Sequence, residues 1–326
     1  MRNLTRRRFN AALFAAASSV IAPSLWAQSY PAKPVRLIAP YPPGGGVDTV
    51  ARLIGERLAA RVGQPVTVEN RPGAGATIGA EALAKSTPDG YTLMLGSIVD
   101  YAITPHSHKN APFEMKRDFA SIVEVGNGTI ALVVTADFPA RTMMEVITLA
   151  KAQPGKFSYA ADIGGVKHLS GEMFKQMAGV DIVHVPYKGT VQFLPDLLAG
   201  RVPMSIDSVP AHLPHIKSGK LRALGVASRT RAPMLPEVPT MIEAGLPGYE
   251  VSTNYTLFAP VATPREILER LNRDTNAVLQ LPEVREKLIA LGIMPVGGTI
   301  DAVQARVPAE LAKWAGVIKA ANIKFE

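Results

Sequence analysis

The chain has 326 residues, no cysteine, 47% hydrophobic residues and a formal net charge of +8. Without a thiol it has no disulfide, no thiolate metal site and no cysteine to carry a lipid. Four of the net charges fall on Arg2, Arg6, Arg7 and Arg8 with no acid against them, so the rest of the chain holds only half of the excess, which speaks against a nucleic-acid partner.

At the start of the chain, Arg6-Arg7-Arg8-Phe9 opens an apolar run from Ala11 to Ile21 that stops at Pro23 and Leu25-Trp26-Ala27. A charged head, a short apolar stretch and small residues at a cleavage point make residues 1–27 an export signal. Thr5-Arg6-Arg7-Arg8-Phe9 fits the twin-arginine variant. The apolar run is shorter than the roughly 20 residues that a bilayer span needs. The mature protein is therefore expected to begin near Gln28, in the periplasm.

Beyond the signal, short β-branched runs alternate with helical periods, the pattern of an α/β fold with largely parallel sheets. About 300 residues suffice for two cores. Strands are expected over Val35 to Ala39, Val66 to Glu69, Thr92 to Leu95, Thr129 to Val134, Ile182 to Val185, Pro203 to Asp207 and Leu221 to Val226. Helices are expected over Thr49 to Val62, Ile78 to Lys85, Thr142 to Ala152, His168 to Gly179, Val191 to Ala199, Ala211 to Ser218, Pro264 to Gln280, Pro282 to Leu291 and Asp301 to Asn322.

The first strand-to-helix turn is where chemistry is expected. Pro40-Tyr41-Pro42-Pro43-Gly44-Gly45-Gly46-Val47-Asp48 leads into a helix whose Val50, Leu53, Ile54, Leu58 and Val62 share one face. Three adjacent glycines strip the backbone of Cβ atoms, so a ligand oxygen can approach amides that the helix leaves unpaired. With the helix dipole behind it, the turn suits a carboxylate. Asp48 reads as the N-cap. A nucleotide site fails on spacing, because contiguous Gly44, Gly45 and Gly46 do not make G-x-G-x-x-G and no phosphate-loop motif follows.

Five motifs in order carry a resemblance: Tyr41-Pro42-Pro43-Gly44-Gly45-Gly46, Val68-Glu69-Asn70-Arg71-Pro72-Gly73-Ala74-Gly75, Pro88-Asp89-Gly90-Tyr91-Thr92-Leu93, His184-Val185-Pro186-Tyr187-Lys188-Gly189 and Gly219-Lys220-Leu221-Arg222-Ala223-Leu224. From about Tyr30 onward the chain resembles the Bug proteins, the extracytoplasmic solute-binding components of tripartite tricarboxylate transporters. The resemblance implies a two-lobed periplasmic binding protein of the second type, a Venus-flytrap of mostly parallel sheets flanked by helices. It implies a small organic carboxylate as ligand and a membrane permease as partner, with no catalysis, cofactor or metal. The lobes are expected as 28–127 with 252–326, and 128–251, joined by crossover segments near 126–132 and 250–258. A monomer is expected.

In that family the ligand carboxylate meets the turn after the first strand and a facing turn of the second lobe. By position the first contact falls on Gly44, Gly45, Gly46, Val47, Asp48 and Thr49, flanked by Tyr41 and Pro43. The second falls on Ala161, Asp162, Gly164, Gly165, Val166 and His168. This second turn departs from the family: hydroxyl donors are missing, Asp162 has arrived and the turn is shorter. Asn254 stands where many relatives carry Trp. The departures point to a monocarboxylate, or an acid with a neutral or cationic second group, rather than a symmetric dicarboxylate.

Other polar residues have two readings each. Asp207 faces the cleft or caps the next helix, and Lys188 hydrogen-bonds across the cleft or is a solvated loop lysine. His106-x-His108 and His212-x-x-His215 have loose metal spacing with no completing carboxylate, which makes them surface or packing residues. No G-x-S-x-G and no H-E-x-x-H occurs. Two alternatives stay open: a ligand sensor that contacts a sensor kinase, and a periplasmic oxidoreductase loaded with its cofactor before export.

Overall fold

In a computed structural model of the chain, the structure describes residues 30–73, 75–107, 111–187 and 189–323. The expected export signal, residues 1–27, and Lys188 lie outside the described residues. Ten strands and eleven helices follow in the order β1 Val35–Ala39, α1 Gly46–Val62, β2 Val66–Asn70, α2 Thr77–Ala84, β3 Thr92–Gly96, α3 Ile98–Ser107, α4 Met115–Asp118, β4 Phe119–Thr135, α5 Met143–Ala152, β5 Ser158–Asp162, α6 Val166–Ala178, β6 Val183–Tyr187, α7 Thr190–Leu198, β7 Met204–Ser208, α8 Val209–Lys217, β8 Leu221–Val226, β9 Ser252–Pro260, α9 Arg265–Leu279, α10 Pro282–Ala290, β10 Ile293–Gly297 and α11 Ile300–Ala320, all counted among the described residues.

The strands join through β4 along the path β2-β1-β3-β9-β4-β7-β5-β6, with β8 and β10 also paired to β4. Pairing is parallel where helices return the chain, at β1–β2, β1–β3, β5–β6 and β5–β7. It is antiparallel wherever β4 or β9 takes part. The largely parallel expectation is thus corrected to a mixed sheet, because β4 and β9 run in opposite directions through the middle. The 17-residue β4 serves both halves: its register with β9 ends at Thr129↔Ser252, and its register with β7 begins at Ile130↔Ser208.

The cores of the two halves are not fully separate, since Val99, Ala102 and Ile103 of α3 in the first half belong to the same cluster as the residues behind the second half-sheet. Ile38, Leu83, Met94, Tyr101 and Phe258 meet behind the first half-sheet, with Tyr101 edge-on to Phe113 at 5.4 Å and to Phe258 at 5.7 Å. Leu132, Tyr159, Leu169, Phe174 and Ile206 fill the space behind the second, and Phe193, Leu197 and Val226 cover its other face. Burying such side chains contributes roughly 1.5–3 kcal/mol each. The long α11 takes part in both halves, with Val303 and Val307 in the first core and Trp314, Val317 and Ile318 in the second.

With β9 and β4 between them, β3 and β7 run toward each other along β4, Gly96 of β3 ending level with Glu124 and Ser208 of β7 with Ile130, and the C-terminal ends of β1, β3, β5 and β7 each turn into a helix. Turns of this kind are the usual ligand positions of open α/β sheets.

Candidate functional site

The turn after β1 is held from inside. Gly44 takes φ +80°, in the left-handed region that glycine enters without strain, and Gly45 is the N-cap of α1 with no side-chain cap bond. Asp48 is therefore not the N-cap. It sits on the third helical residue, buried, and accepts from the Gly44 amide at 2.9 Å, Arg52 Nε at 3.0 Å and Asn70 Nδ2 at 2.8 Å. The Arg52 bond leads the set of donors that lowers its pKa to about 2. Thr49 spends its hydroxyl on the Gly45 carbonyl at 3.0 Å. Val47 is half-buried, while Pro43 and the three glycines are exposed. What the turn offers outward is main chain. The first amide of α1 with a carbonyl partner is Thr49, bonded to Gly45 at 2.9 Å, so helix geometry leaves the amides of Gly46, Val47 and Asp48 without intrahelical acceptors.

The turn after β5 repeats the arrangement from the other half. Gly164 has φ +72°, Gly165 caps α6, and Leu169 N bonds Gly165 O at 3.1 Å, which leaves the Val166, Lys167 and His168 amides as the first-turn donors. His168 works from beneath. Its Nδ1 accepts from the Gly164 amide at 3.2 Å, and its ring stacks on His184 with centroids 3.9 Å apart. Burial, with His184 and Lys175 nearby, lowers its pKa to about 4, so the ring is neutral and able to accept. The side chains of Ala161 and Val166 are buried, Ala161 at the second core, so only their main chain is available to a solute.

Between the two turns lies a polar wall. Tyr41 donates to Asp100 Oδ2 at 2.5 Å. Ser97 donates to Asn254 Oδ1 at 2.8 Å and accepts from the Asp100 amide at 3.2 Å. Asn254 is buried, and its Nδ2 has no partner among the described residues. Tyr255 brings its hydroxyl within 3.0 Å of where a Cβ on Gly46 would stand, so it lines the α1 terminus; burial raises its pKa to about 12.

From the second half, Lys167 pairs with Asp207 Oδ1 at 2.6 Å and donates to Thr190 Oγ1 at 2.8 Å, while Thr190 donates to Asp207 Oδ2 at 2.6 Å. Burial alone would pull the Lys167 ammonium down, but Asp207 and Asp162 hold it above the ordinary lysine range. Asp207 is fully buried and also accepts from the Ser208 amide at 2.7 Å. Burial raises the Asp162 pKa, and its Oδ1 is enclosed without a partner among the described residues. The two halves are within electrostatic reach of one another. Asp100, raised to about 6 chiefly by burial, also feels Asp162 and Lys167, and Tyr41 feels Asp162.

Hydrogen bonds, close contacts and charge interactions thus link Tyr41, Gly46, Asp162, Asp207 and Asn254 into one network, together with Ser97, Asp100, Lys167, Thr190 and Tyr255, which the sequence pattern does not single out. Asp100 follows the C-terminal end of β3, the same topological position as the glycine turn after β1, and that position was the available signal. A groove of about 480 Å³ lies elsewhere, lined by Arg141, Met144, Leu224 and Glu243, and shares none of these residues. Among the described residues no three His, Asp or Glu side chains are placed to hold a metal ion. None of their helices is long and apolar enough to cross a membrane.

A sequence model described as "Tripartite tricarboxylate transporter family receptor" matches residues 50–323. The chain belongs to this family. It is 37% identical over 326 residues to Protein BugT of Bordetella pertussis, covering 99% of this chain and 100% of that one. Among solved structures, an R. palustris protein with adipate superposes with a TM-score of 0.80 at 36% identity, covering 90% of this chain and 99% of the other. The periplasmic binding protein BugD does so with a TM-score of 0.76 at 33% identity, covering 90% and 99%. The family receptors are solute-binding proteins rather than enzymes, which sets the fold found here among periplasmic binding proteins.

Proposed function

We propose that this chain is a periplasmic receptor that captures a small organic carboxylate between two lobes and delivers it to a tripartite membrane permease. The lobes are 28–127 with 252–326, and 128–251, and the hinge lies where β4 passes from β9 to β7. One observation supports this reading: the N-termini of α1 and α6 belong to different half-sheets, yet the polar groups beside them, Tyr255, Asp100, Asp162 and Lys167, sense each other's charge. First-turn amides and a partial positive charge of about half a unit at each helix end suit an anion. A carboxylate gripped by both ends favours the closed arrangement by its differential affinity for the two states. The family match and the relatives solved with adipate and with malate support the ligand class.

Titration calorimetry against succinate, glutamate, citrate and aromatic carboxylates, with small-angle scattering on the same samples, tests the proposal. At least one acid should bind and reduce the radius of gyration. Turnover of a substrate by the pure protein, with no compaction by any acid, would overturn it.

A further inference from the structure

The charges around the cleft do not balance, and the imbalance bears on what the solute carries besides its carboxylate. Among the described residues, four charged side chains act on one another here: Asp100 from the head of α3, Asp162 from the end of β5, Asp207 from the end of β7 and Lys167 from the first turn of α6. Lys167 and Asp207 neutralise one another in a closed ring with Thr190, at 2.6, 2.8 and 2.6 Å. Tyr41 and Tyr255 bring hydroxyls and no charge, since both phenols are held above their ordinary range, chiefly by burial. His212, behind Asp207 at 3.9 Å, is kept neutral by burial. Asp100 and Asp162 remain, on opposite half-sheets and close enough for the Asp162 charge to raise the Asp100 pKa, and neither has an ion-pair partner among the described residues.

Their hydrogen bonding is incomplete in a directed way. Tyr41 occupies Asp100 Oδ2. Asp162 Oδ1 is shut off from solvent and accepts nothing among the described residues. A Cβ on Gly165 would fall 2.6 Å from Asp162 Oδ2, so the glycine is what lets this carboxylate lie against the α6 terminus. A buried acceptor with no donor is costly, and a donor supplied by a solute removes the cost. The two helix ends bring only about one unit of positive charge in total, enough for one carboxylate beside two aspartates.

We propose that the cleft selects an organic acid with a single carboxylate, held at the helix ends, and an ammonium or other N–H donor at its far end, read by Asp162 and Asp100. This rests on the carboxylate-receptor reading and narrows it. A simple dicarboxylate would set its second anion against Asp162, where Lys167 is already committed to Asp207.

The test uses pairs of probes that differ only at the far end: adipate against ε-aminocaproate, and succinate against γ-aminobutyrate, with caproate as the neutral-end control. Calorimetry on the intact protein should show the amino acid of at least one pair binding at least ~10-fold tighter than its dicarboxylate, about 1.4 kcal/mol. Asp162→Asn should remove that preference, weakening the amino acid at least ~10-fold relative to caproate measured on the same variant, with circular dichroism confirming the fold. Asp100→Asn is a second variant that leaves the α6 turn intact and should weaken the preference in the same direction. Dicarboxylates binding as tightly as their amino partners, or a preference that survives both substitutions, would overturn the proposal while leaving the carboxylate receptor standing. Binding of none of the acids would overturn both.

Discussion

Asp100 shows how one side chain ties the cleft to pH. Burial raises its carboxyl to about 6, while the Tyr41 hydroxyl bond pulls the other way. An aspartate in the unfolded chain titrates near 3.9. A folded-state pKa above the unfolded value means that the contribution is fully present below about 3.9 and is lost as the pH rises through about 6. Asp100→Asn cannot ionise, so at pH 8 it should be more stable than the parent, by up to about 3 kcal/mol, with the gap closing toward pH 4. Urea melts at the two pH values read this directly, and equal stability at both would show that the side chain is not enclosed as described. Tyr41→Phe should shift the Asp100 titration further upward, because the lost hydroxyl bond stabilises the ionised form; carboxyl-carbon NMR follows it.

At the scale of elements, the glycine turn after β1 depends on a brace that points away from the solute. Asp48 ties the Gly44 amide, Asn70 from β2 and Arg52 from α1 into one cluster. Its depressed pKa of about 2 gives a contribution that is present above about 3.9 and lost as the pH falls through about 2. Asp48→Ala should destabilise the fold by roughly 1–3 kcal/mol, since buried donors lose their acceptor. It should also weaken acid binding by loosening the turn, measured by thermal melts and calorimetry. This turn was legible in the sequence, and β1 and β8 were legible to the residue, because their largely apolar runs are bounded by turn residues on both sides. The strands β5 and β10, the helices α3 and α4 and the first half of β4 were not. Gly126, Asn127 and Gly128 look like a break, yet a Cβ on Gly126 would lie 2.7 Å from Met294 O. That glycine is there for the close approach of β10 across the sheet, a long-range cause that local patterning cannot carry. Pro105 inside α3 masked that helix in the same way. Asp162 was visible as a departure from relatives, but its counterpart Asp100 was not. Only the folded sheet brings the ends of β3 and β5 together.

On the scale of the whole molecule, α11 decides how independent the two halves are. Its first turns lie in the first core and its last turns in the second, and Gln176 of α6 donates to the Val317 carbonyl at 3.1 Å. Arg306 pairs with the buried Glu124 of β4, and Trp314 is fully buried with its indole N–H on Glu310 at 2.9 Å. In the proposed receptor, closure would have to take place with a helix anchored at both ends, by bending in the paired strands β4 and β9 and by sliding where α3, α6 and α11 meet. The same strap couples unfolding. Two domains joined only by crossover strands melt separately, whereas a shared helix makes loss of one core a loss for the other. The intact protein should unfold in urea as a single transition, the same by circular dichroism and by Trp fluorescence. Trp314→Ala removes about 3–5 kcal/mol of packing from the cluster behind the second half-sheet, into which Val99, Ala102 and Ile103 of α3 also pack. With that end of the strap released, hydrogen exchange at β5, β6 and β7 should accelerate well ahead of exchange at β1 and β3. Uniform acceleration across both half-sheets would mean that α11 stabilises the molecule without coupling its halves.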